Sequence, residues 1–290
     1  MMDLARLRAY DSGEILHRYT AKDSILYALG IGVGAASIDD HALTYLFEPG
    51  MQVLPTLASV LATAGNWMQD RPELGIRWQQ ALHGSERVIV HRPLRAAGAL
   101  LGRTLVLGVA DKGAEKGAVV ALAKTLHDAH TGELLATCER QLFLRGNGGF
   151  SSAQQPGDAI LGLSREPPTT APSHVLELPT RHDQALIYRL MGDMNPLHAD
   201  PGFAQRAGYP RPILHGLSTL GGACHALVSC YCGDEASRVS EIHARFSGPV
   251  FPGETIRVHC WQAGPTETLF EAMVPERQAR VLRHGVMRWV

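Results

Sequence analysis

Short apolar runs, each bounded by Gly, Pro or Asp, recur in both halves of the chain. The runs begin at Arg87, Arg103, Ala118 and Glu133 in the first half, and at Val239, Thr255, Thr268 and Ala279 in the second. Their richness in Val, Leu and Ile predicts antiparallel strands. Each set of strands follows a segment with helical spacing. One buried helix packed on such a sheet, twice over, predicts an α+β layer architecture.

The two halves share a layout at one fixed spacing. "ILHRYTAKDSILYALG" begins at Ile15, and "VLELPTRHDQALIYRL" begins 160 positions later at Val175. Each consists of a short apolar strand, a Thr-x-x-Asp pattern typical of a helix N-cap, and an apolar helical run. The same offset aligns Gly32 with Gly192. An ungapped offset over this length favours a duplicated fold.

The segment between the two copies has the composition of a linker. It contains four prolines, several glycines and little periodicity between positions 146 and 173. We therefore predict an N-terminal repeat at 1–145, a linker at 146–174 and a C-terminal repeat at 175–290.

The charge-free stretch from Pro212 to Gly233 raises the question of a membrane span. It runs for 22 residues without Asp, Glu, Lys or Arg, which is long enough to cross a bilayer. Because it also contains a proline, two histidines and several Gly and Ser residues, we favour a helix buried inside a globular domain. The net charge of −1 favours neither nucleic acid nor an anionic membrane. We expect a small-molecule partner.

The cysteines and termini indicate the cellular compartment. Five cysteines form an odd set without the spacing of a disulfide framework or a zinc site, so buried free thiols are expected. The first residues, "MMDLARLRAY", do not form a secretory signal, and the final "RWV" is not a peroxisomal address. We predict a cytoplasmic location.

The stretch "GDMNPLHAD", from Gly192 to Asp200, carries the chemistry of the second half. Gly192 is expected to end the preceding helix, and Pro196 excludes helical geometry at Asn195. On a helix Asp193 and His198 would diverge, whereas around an Asn-Pro turn they can converge on one water molecule. An ordinary capped turn remains the alternative. Metal binding by this pair and His215 is disfavoured, since the spacing is not typical of zinc, and no metal is predicted.

Gly216 in "LHGLSTLG" lies at or near the start of the charge-free helix. Its backbone N–H is suited to an anionic oxygen, although Gly216 is equally suited to close packing of the helix on a strand. Another glycine-rich stretch, "GIGVGA" from Gly30, follows an apparent helix instead of a strand. Nicotinamide binding is therefore disfavoured, and no cofactor is expected.

"YRLMGDMNPLHAD" followed by "LHGLSTLG" resembles the signature of the R-specific enoyl-CoA hydratases, the hydratase 2 or MaoC-like family. The linker "RGNGGF" and the duplicated layout resemble the two-hot-dog members, and the likeness covers most of the chain. The resemblance implies a double hot dog, in which each repeat has a long helix wrapped by an antiparallel sheet. It also implies a homodimer.

Carried over to this sequence, the resemblance implies that Asp193 and His198 form an acid/base pair oriented by Asn195. The Gly216 amide would polarise the thioester carbonyl, with His215 beside it at the substrate. The implied reaction is (3R)-specific hydration of trans-2-enoyl-CoA to (3R)-hydroxyacyl-CoA, or its reverse. A hot-dog acyl-CoA thioesterase and a non-catalytic acyl-thioester binding module remain alternatives, but the Asn-Pro-Leu-His order favours hydration.

The 160-residue offset also predicts what the first half does. The positions matching Asp193, Asn195, His198, His215 and Gly216 are Val33, Ala35, Ile38, Pro55 and Thr56. None of the first four can transfer a proton, so the first half is expected to be catalytically silent. Their apolar character is consistent with a pocket for an acyl tail or with simple core packing.

Overall fold

The structure is a computed structural model that describes residues 2–160, 162 and 164–290. The strands are β1 (Ile15–Tyr19), β2 (Ala81–Val90), β3 (Gly98–Asp111), β4 (Ala118–Asp128), β5 (Leu134–Leu144), β6 (His174–Pro179), β7 (Val239–Phe246), β8 (Thr255–Gly264), β9 (Glu267–Val274) and β10 (Ala279–Trp289). All the strands predicted from the apolar runs are present. The helices are α1 (Leu4–Arg8), α2 (Ala21–Gly30), α3 (Asp40–Leu46), α4 (Trp67–Asp70), α5 (Gln184–Tyr188), α6 (Pro201–Arg206) and α7 (Gly216–Cys232).

The described strands form one continuous antiparallel sheet in the order β1-β3-β4-β5-β2-β7-β10-β9-β8-β6. The first five strands in this order mirror the last five, as expected of a duplicated fold. The two sets join where β2 pairs with β7, from Ser85 opposite Arg245 to Ile89 opposite Glu241. The described part of 146–173 forms no helix or strand. The boundaries at 145 and 175 remain a prediction that this symmetry supports.

The helices that precede the two glycines of the repeat differ between the halves. Gly32 and Gly192 both have left-handed backbones, with φ of 97° and 108°. In the first half Asp23 accepts the Thr20 N–H at 2.8 Å, as the N-cap pattern predicted. In the second half Thr180 instead donates its hydroxyl to the Glu254 carbonyl, and the helix begins only after Asp183.

The second of these helices, α5, is shorter than predicted and presents a different face to the core. It covers five residues and continues as a single 3-10 turn, Arg189–Met191. Leu186 and Leu190, two apolar residues of the predicted helical run, are 52% and 58% exposed, whereas Ala185 and Tyr188 are buried. Apolar spacing therefore identified the helix but not the side that packs.

The charge-free stretch forms α7, a helix of 17 residues with much of its surface buried. It packs against β6, β7 and β10. A side chain at Gly222 would lie 2.9 Å from the Ile31 carbonyl oxygen, so a glycine is needed where α7 crosses the first half. No helix in the described part of the chain combines the length and apolarity that a membrane crossing requires.

The expectation of a long helix in each repeat is wrong for the first half. The segment matching α7 forms the 3-10 turn Pro55–Ser59 and, after a break, the four-residue helix α4. The Lys124 ammonium group, on β4, donates to the carbonyls of Ala58, Ser59 and Leu61 at 2.8, 3.1 and 2.5 Å. The Ser59 carbonyl also accepts from the Arg140 guanidinium at 3.1 Å, so side chains from the sheet replace the continuation of the helix.

The five cysteines are free thiols, as predicted, and Cys230 alone among them is not fully buried. The main hydrophobic core spans both halves. It includes Tyr27 and Leu57 from the first half and Leu220 and Leu227 from the second. The repeats therefore fold as one body around a shared core.

Candidate active site

The turn after Gly192 brings the side chains of the predicted site together. The Asn195 side chain accepts the Leu197 N–H at 3.0 Å, and the Asn195 N–H donates to the Asp193 carboxylate at 3.3 Å. Pro196 then opens a 3-10 turn that ends at His198. As a result, one ligand atom each of Asp193, His198 and His215 lie within 4.8 Å of one another.

The His198 ring is held by a hydrogen bond at one of its two nitrogens. Its Nδ1 lies 2.8 Å from the Ile213 carbonyl oxygen. Since a carbonyl can only accept, Nδ1 carries the proton and the Nε2 of the neutral ring has a free lone pair. Burial lowers the pKa of His198, although the Asp193 charge and the bond to Ile213 act in the opposite direction. The ring is therefore a neutral base at neutral pH.

His215 lies behind His198 and is 2% exposed. The two rings stack with centroids 3.6 Å apart and planes 24° from parallel. The His215 Nε2 lies 3.3 Å from the Asp193 carbonyl oxygen and so acts as its donor. Burial and the neighbouring His198 lower the pKa of His215. This placement suits support of His198 and of the Asp193 backbone better than direct contact with substrate.

A metal ion bound by these three residues is disfavoured by the ring geometry. Zinc sites require nitrogen lone pairs that converge from separate directions, whereas the two imidazoles lie in nearly parallel planes. Two ring nitrogens carry protons bonded to the carbonyls of Ile213 and Asp193. The lone pairs that remain, on the His198 Nε2 and the His215 Nδ1, belong to two stacked rings, and with the Asp193 carboxylate they make three ligands, fewer than the four of a structural zinc site.

Gly216 is the first residue of α7, where an N–H has no acceptor within the helix. A side chain here would place its Cβ 3.0 Å from Cδ1 of Phe246, at the end of β7. The glycine therefore serves close packing of helix on strand. The same lack of a side chain leaves its N–H open to approach.

Sequence reasoning missed three residues around the site. Tyr188 is fully buried, with its ring centroid 4.8 Å from that of His215. Gln184 donates to the Ser218 hydroxyl at 3.1 Å, and Ser218 donates to the Gly30 carbonyl at 2.7 Å. These bonds connect α5, α7 and α2. The available signal was that Gln184 and Ser218 are polar residues inside otherwise apolar helical runs.

The matching positions of the first half lie in different environments. Val33 and Thr56 are buried, and Ile38 is 62% exposed. Ala35 lines a cavity of about 260 Å³ between α7 and the 31–42 segment, which Ile31, Gly222 and Ile256 also line. Among the positions whose apolar character was consistent with an acyl-tail pocket, Ala35 therefore lines a cavity.

Comparisons with known proteins identify the family. Residues 164–281 match the MaoC like domain, and residues 17–146 match the MFE-2 hydratase 2 N-terminal domain. The peroxisomal enoyl-CoA hydratase 2 of Arabidopsis thaliana is 38% identical over 288 residues, which cover 95% of this chain and 92% of that protein.

Solved structures agree with the fold. A MaoC-like dehydratase from Phytophthora capsici superposes with a TM-score of 0.84 at 31% identity, covering 99% of this chain and 98% of its own. A Mycobacterium tuberculosis protein described as a double hot-dog fold, at 16% identity, has a TM-score of 0.56 and covers 94% and 92% of the two chains. The double hot-dog fold is therefore confirmed. The chain belongs to the MaoC-like enoyl-CoA hydratase 2 family.

Proposed function

We propose that this protein catalyses the (3R)-specific hydration of trans-2-enoyl-CoA to (3R)-hydroxyacyl-CoA, and the reverse dehydration. The observation that carries the proposal is the convergence of the Asp193 carboxylate and the His198 imidazole, which has a ligand atom within 4.8 Å of it and an Nε2 left unprotonated by the bond from Nδ1 to Ile213. Hydration needs a base for the attacking water, an acid for C2 and a donor for the enolate oxygen. Asp193 and His198 can serve as the base and the acid, and the N–H of Gly216, the first residue of α7, can serve as the donor.

In the proposed mechanism a water molecule is held between the Asp193 carboxylate and the His198 Nε2. The pair removes a proton as the hydroxyl group adds to C3, and the electron pair of the double bond shifts towards the thioester oxygen. The Gly216 N–H donates to that oxygen. The pair then returns the proton to C2, so that one water molecule is added overall. Positioned acid/base groups contribute about 10²- to 10⁴-fold in rate, and one oxyanion donor roughly 3 kcal/mol.

Two neighbouring residues are assigned supporting roles. Asn195 fixes the turn through its bond to Leu197 and gives the Asp193 carboxylate a backbone donor. His215 stacks on His198 and is bonded to the Asp193 backbone. Both supports contact Asp193 and His215 also contacts His198, so loss of either would disturb the geometry of the pair without removing a proton-transfer group.

We further propose that the repeat at 1–145 is non-catalytic and holds the acyl tail. The cavity of about 260 Å³ supports this, because Ile31 and Ala35 of the first half and Ile256 of the second half line it, together with polar residues such as Asp39 and Glu177. Residues 146–174 act as the linker, and 175–290 as the catalytic repeat.

A homodimer and a cytoplasmic location are also proposed. The dimer follows from the family resemblance. The five free thiols agree with a reducing compartment. Analytical ultracentrifugation and cell fractionation test the two proposals.

The direct test is turnover of crotonyl-CoA and longer enoyl-CoAs, followed through loss of the conjugated thioester, with the chirality of the product resolved. Asp193→Asn and His198→Gln should each lower kcat by about 10²- to 10⁴-fold, because each removes one member of the acid/base pair. The exposed residues Asp70 and His130 provide matched controls as Asp70→Asn and His130→Gln, which should leave kcat unchanged.

Three results would contradict the proposal. Release of free CoA thiol would indicate the thioesterase, and binding of acyl-CoA without turnover would indicate the non-catalytic module. An (S) product would exclude the proposed stereochemistry.

A further inference from the structure

A buried ionic cluster in the first half has no part in the mechanism above. The Glu86 side chain, on β2, is fully buried. Its carboxylate lies 3.3 Å from the Arg140 guanidinium and 2.9 Å from the His83 Nε2. Burial opposes its ionisation most strongly, but Arg140, His83 and Ser59 together lower the pKa of Glu86 to about 2. A buried carboxylate is costly to keep charged, so its partners are held in fixed positions around it.

The orientation of the His83 side chain is set by the Glu86 carboxylate and by an irregularity of β2. The register with β5 shifts between His83 and Ser85. Such bulges redirect side chains at the end of a paired segment. The His83 Nε2 donates to both the Glu86 carboxylate and the Ser85 carbonyl, at 2.9 and 3.1 Å. These two bonds fix the orientation of the ring.

The His83 ring, which belongs to the first half, contacts a residue of the second half. It meets the Phe246 ring edge-on, with centroids 4.8 Å apart and planes at 68°. Phe246 is the last residue of β7, and its ring lies against the start of α7. A Cβ at Gly216 would be 3.0, 3.1 and 3.3 Å from three atoms of this ring. The Phe246 ring therefore supports the backbone whose N–H is assigned to the thioester oxygen.

We propose that His83, anchored by Glu86, is a positioning residue that sets the Gly216 N–H through Phe246. The inference rests on the proposed function, since it concerns the geometry of that oxyanion donor. The catalytically silent half thereby gains a second role, because its buried ion pair holds the donor of the other half in place. Displacement of a reacting group by about 1 Å is enough to lower a rate about 10²-fold.

An alternative role for His83 is purely structural, as a partner of the buried Glu86 carboxylate beside Arg140. Loss of a structural partner lowers stability and the folded fraction together. Loss of a positioning residue lowers kcat of the folded enzyme while substrate binding is kept. The division between kcat and KM therefore separates the two roles.

The test compares wild type with His83→Ala, Phe246→Leu and the double variant, by kcat and KM for crotonyl-CoA on protein shown to be folded by thermal unfolding. Each single substitution should lower kcat by about 10- to 100-fold, with KM changed by less than about twofold. The double variant should be no slower than Phe246→Leu alone, because both residues act along one path. His91→Ala, at an exposed histidine just past β2, should behave as wild type.

His83→Gln provides a second variant if His83→Ala does not fold, because it keeps an N–H for Glu86 but lacks the ring; the same loss of kcat is expected. The inference is overturned if His83→Ala or His83→Gln retains kcat within twofold, or if the effects of the two single substitutions multiply in the double variant. Wild type without hydratase activity, or full activity in Asp193→Asn, would overturn the proposed function instead. Failure of the positioning role alone appears as an active wild type, an inactive Asp193→Asn and an unaffected His83→Ala.

Discussion

His198 combines two properties that a base near neutral pH requires. Burial lowers its pKa from the ordinary value of 6.5, which keeps the ring neutral. The bond from Nδ1 to the Ile213 carbonyl fixes the tautomer, so the lone pair lies on Nε2. Protonation would place a charge in a site that is 8% exposed. The proton is therefore accepted only while it is being transferred.

The acid limb of the pH profile should lie below pH 6.5. Activity requires neutral His198, and its lowered pKa means that the ring stays neutral as the pH falls through 6.5. The logarithm of kcat/KM for crotonyl-CoA, measured between pH 4.5 and 8, should be flat through 6.5 and fall only at lower pH. An acid limb centred at or above 6.5 would show that the ring titrates as an exposed histidine does. Thermal unfolding at each pH separates this effect from loss of the folded state.

The sequence predicted those features of the site whose backbone conformation is restricted by neighbouring residues. Pro196 excludes helical geometry at Asn195, and the bend around these residues was therefore predictable. The tautomer of His198 was not, because its acceptor at Ile213 lies fifteen residues away. The stacking of His198 on His215 was not predictable either, because it depends on where the start of α7 lies in the folded protein.

The elements of the two repeats correspond closely except at the central helix. α7 extends for 17 residues, whereas its counterpart is broken after the turn Pro55–Ser59 and forms only the short helix α4 beyond the break. The local pattern contains no sign of this difference, since "LPTLASVLATAG" is as apolar as the segment that forms α7. The end of the short turn depends on Lys124, which is 63 residues beyond Leu61. Strand positions were predictable because apolar runs between turn residues are local signals.

Lys124→Met should destabilise the protein by about 2 to 4 kcal/mol. The substitution keeps much of the side-chain volume but leaves the carbonyls of Ala58 and Leu61 without their buried donor, whereas the Ser59 carbonyl keeps only Arg140. Urea unfolding measures the change in the free energy of unfolding. The exposed Lys116 supplies the matched control, and Lys116→Met should change that free energy by less than about 0.5 kcal/mol. Equal values for the two variants would show that Lys124 does not support the turn.

At the scale of the whole molecule, the two repeats share both a sheet and a core. The β2–β7 pairing makes the ten strands continuous, and core residues such as Tyr27 and Leu220 come from different halves. Sequence predicted the duplication from the 160-residue offset. It did not predict how far each half depends on the other, because that depends on contacts between residues far apart in the chain.

Cleavage of the linker should leave the enzyme assembled and active. A protease recognition sequence inserted between the exposed residues Ala153 and Gln154 would allow the purified full-length chain to be cut once. Because the β2–β7 pairing and the shared core do not involve the linker, the fragments should co-elute in size-exclusion chromatography and keep most of their hydratase turnover. The uncut insertion variant is the control. The second fragment expressed alone should be inactive, since it lacks β2 and the core residues that the first half contributes. Separation of the fragments after cleavage, or full activity of the second fragment alone, would show that the halves are independent domains.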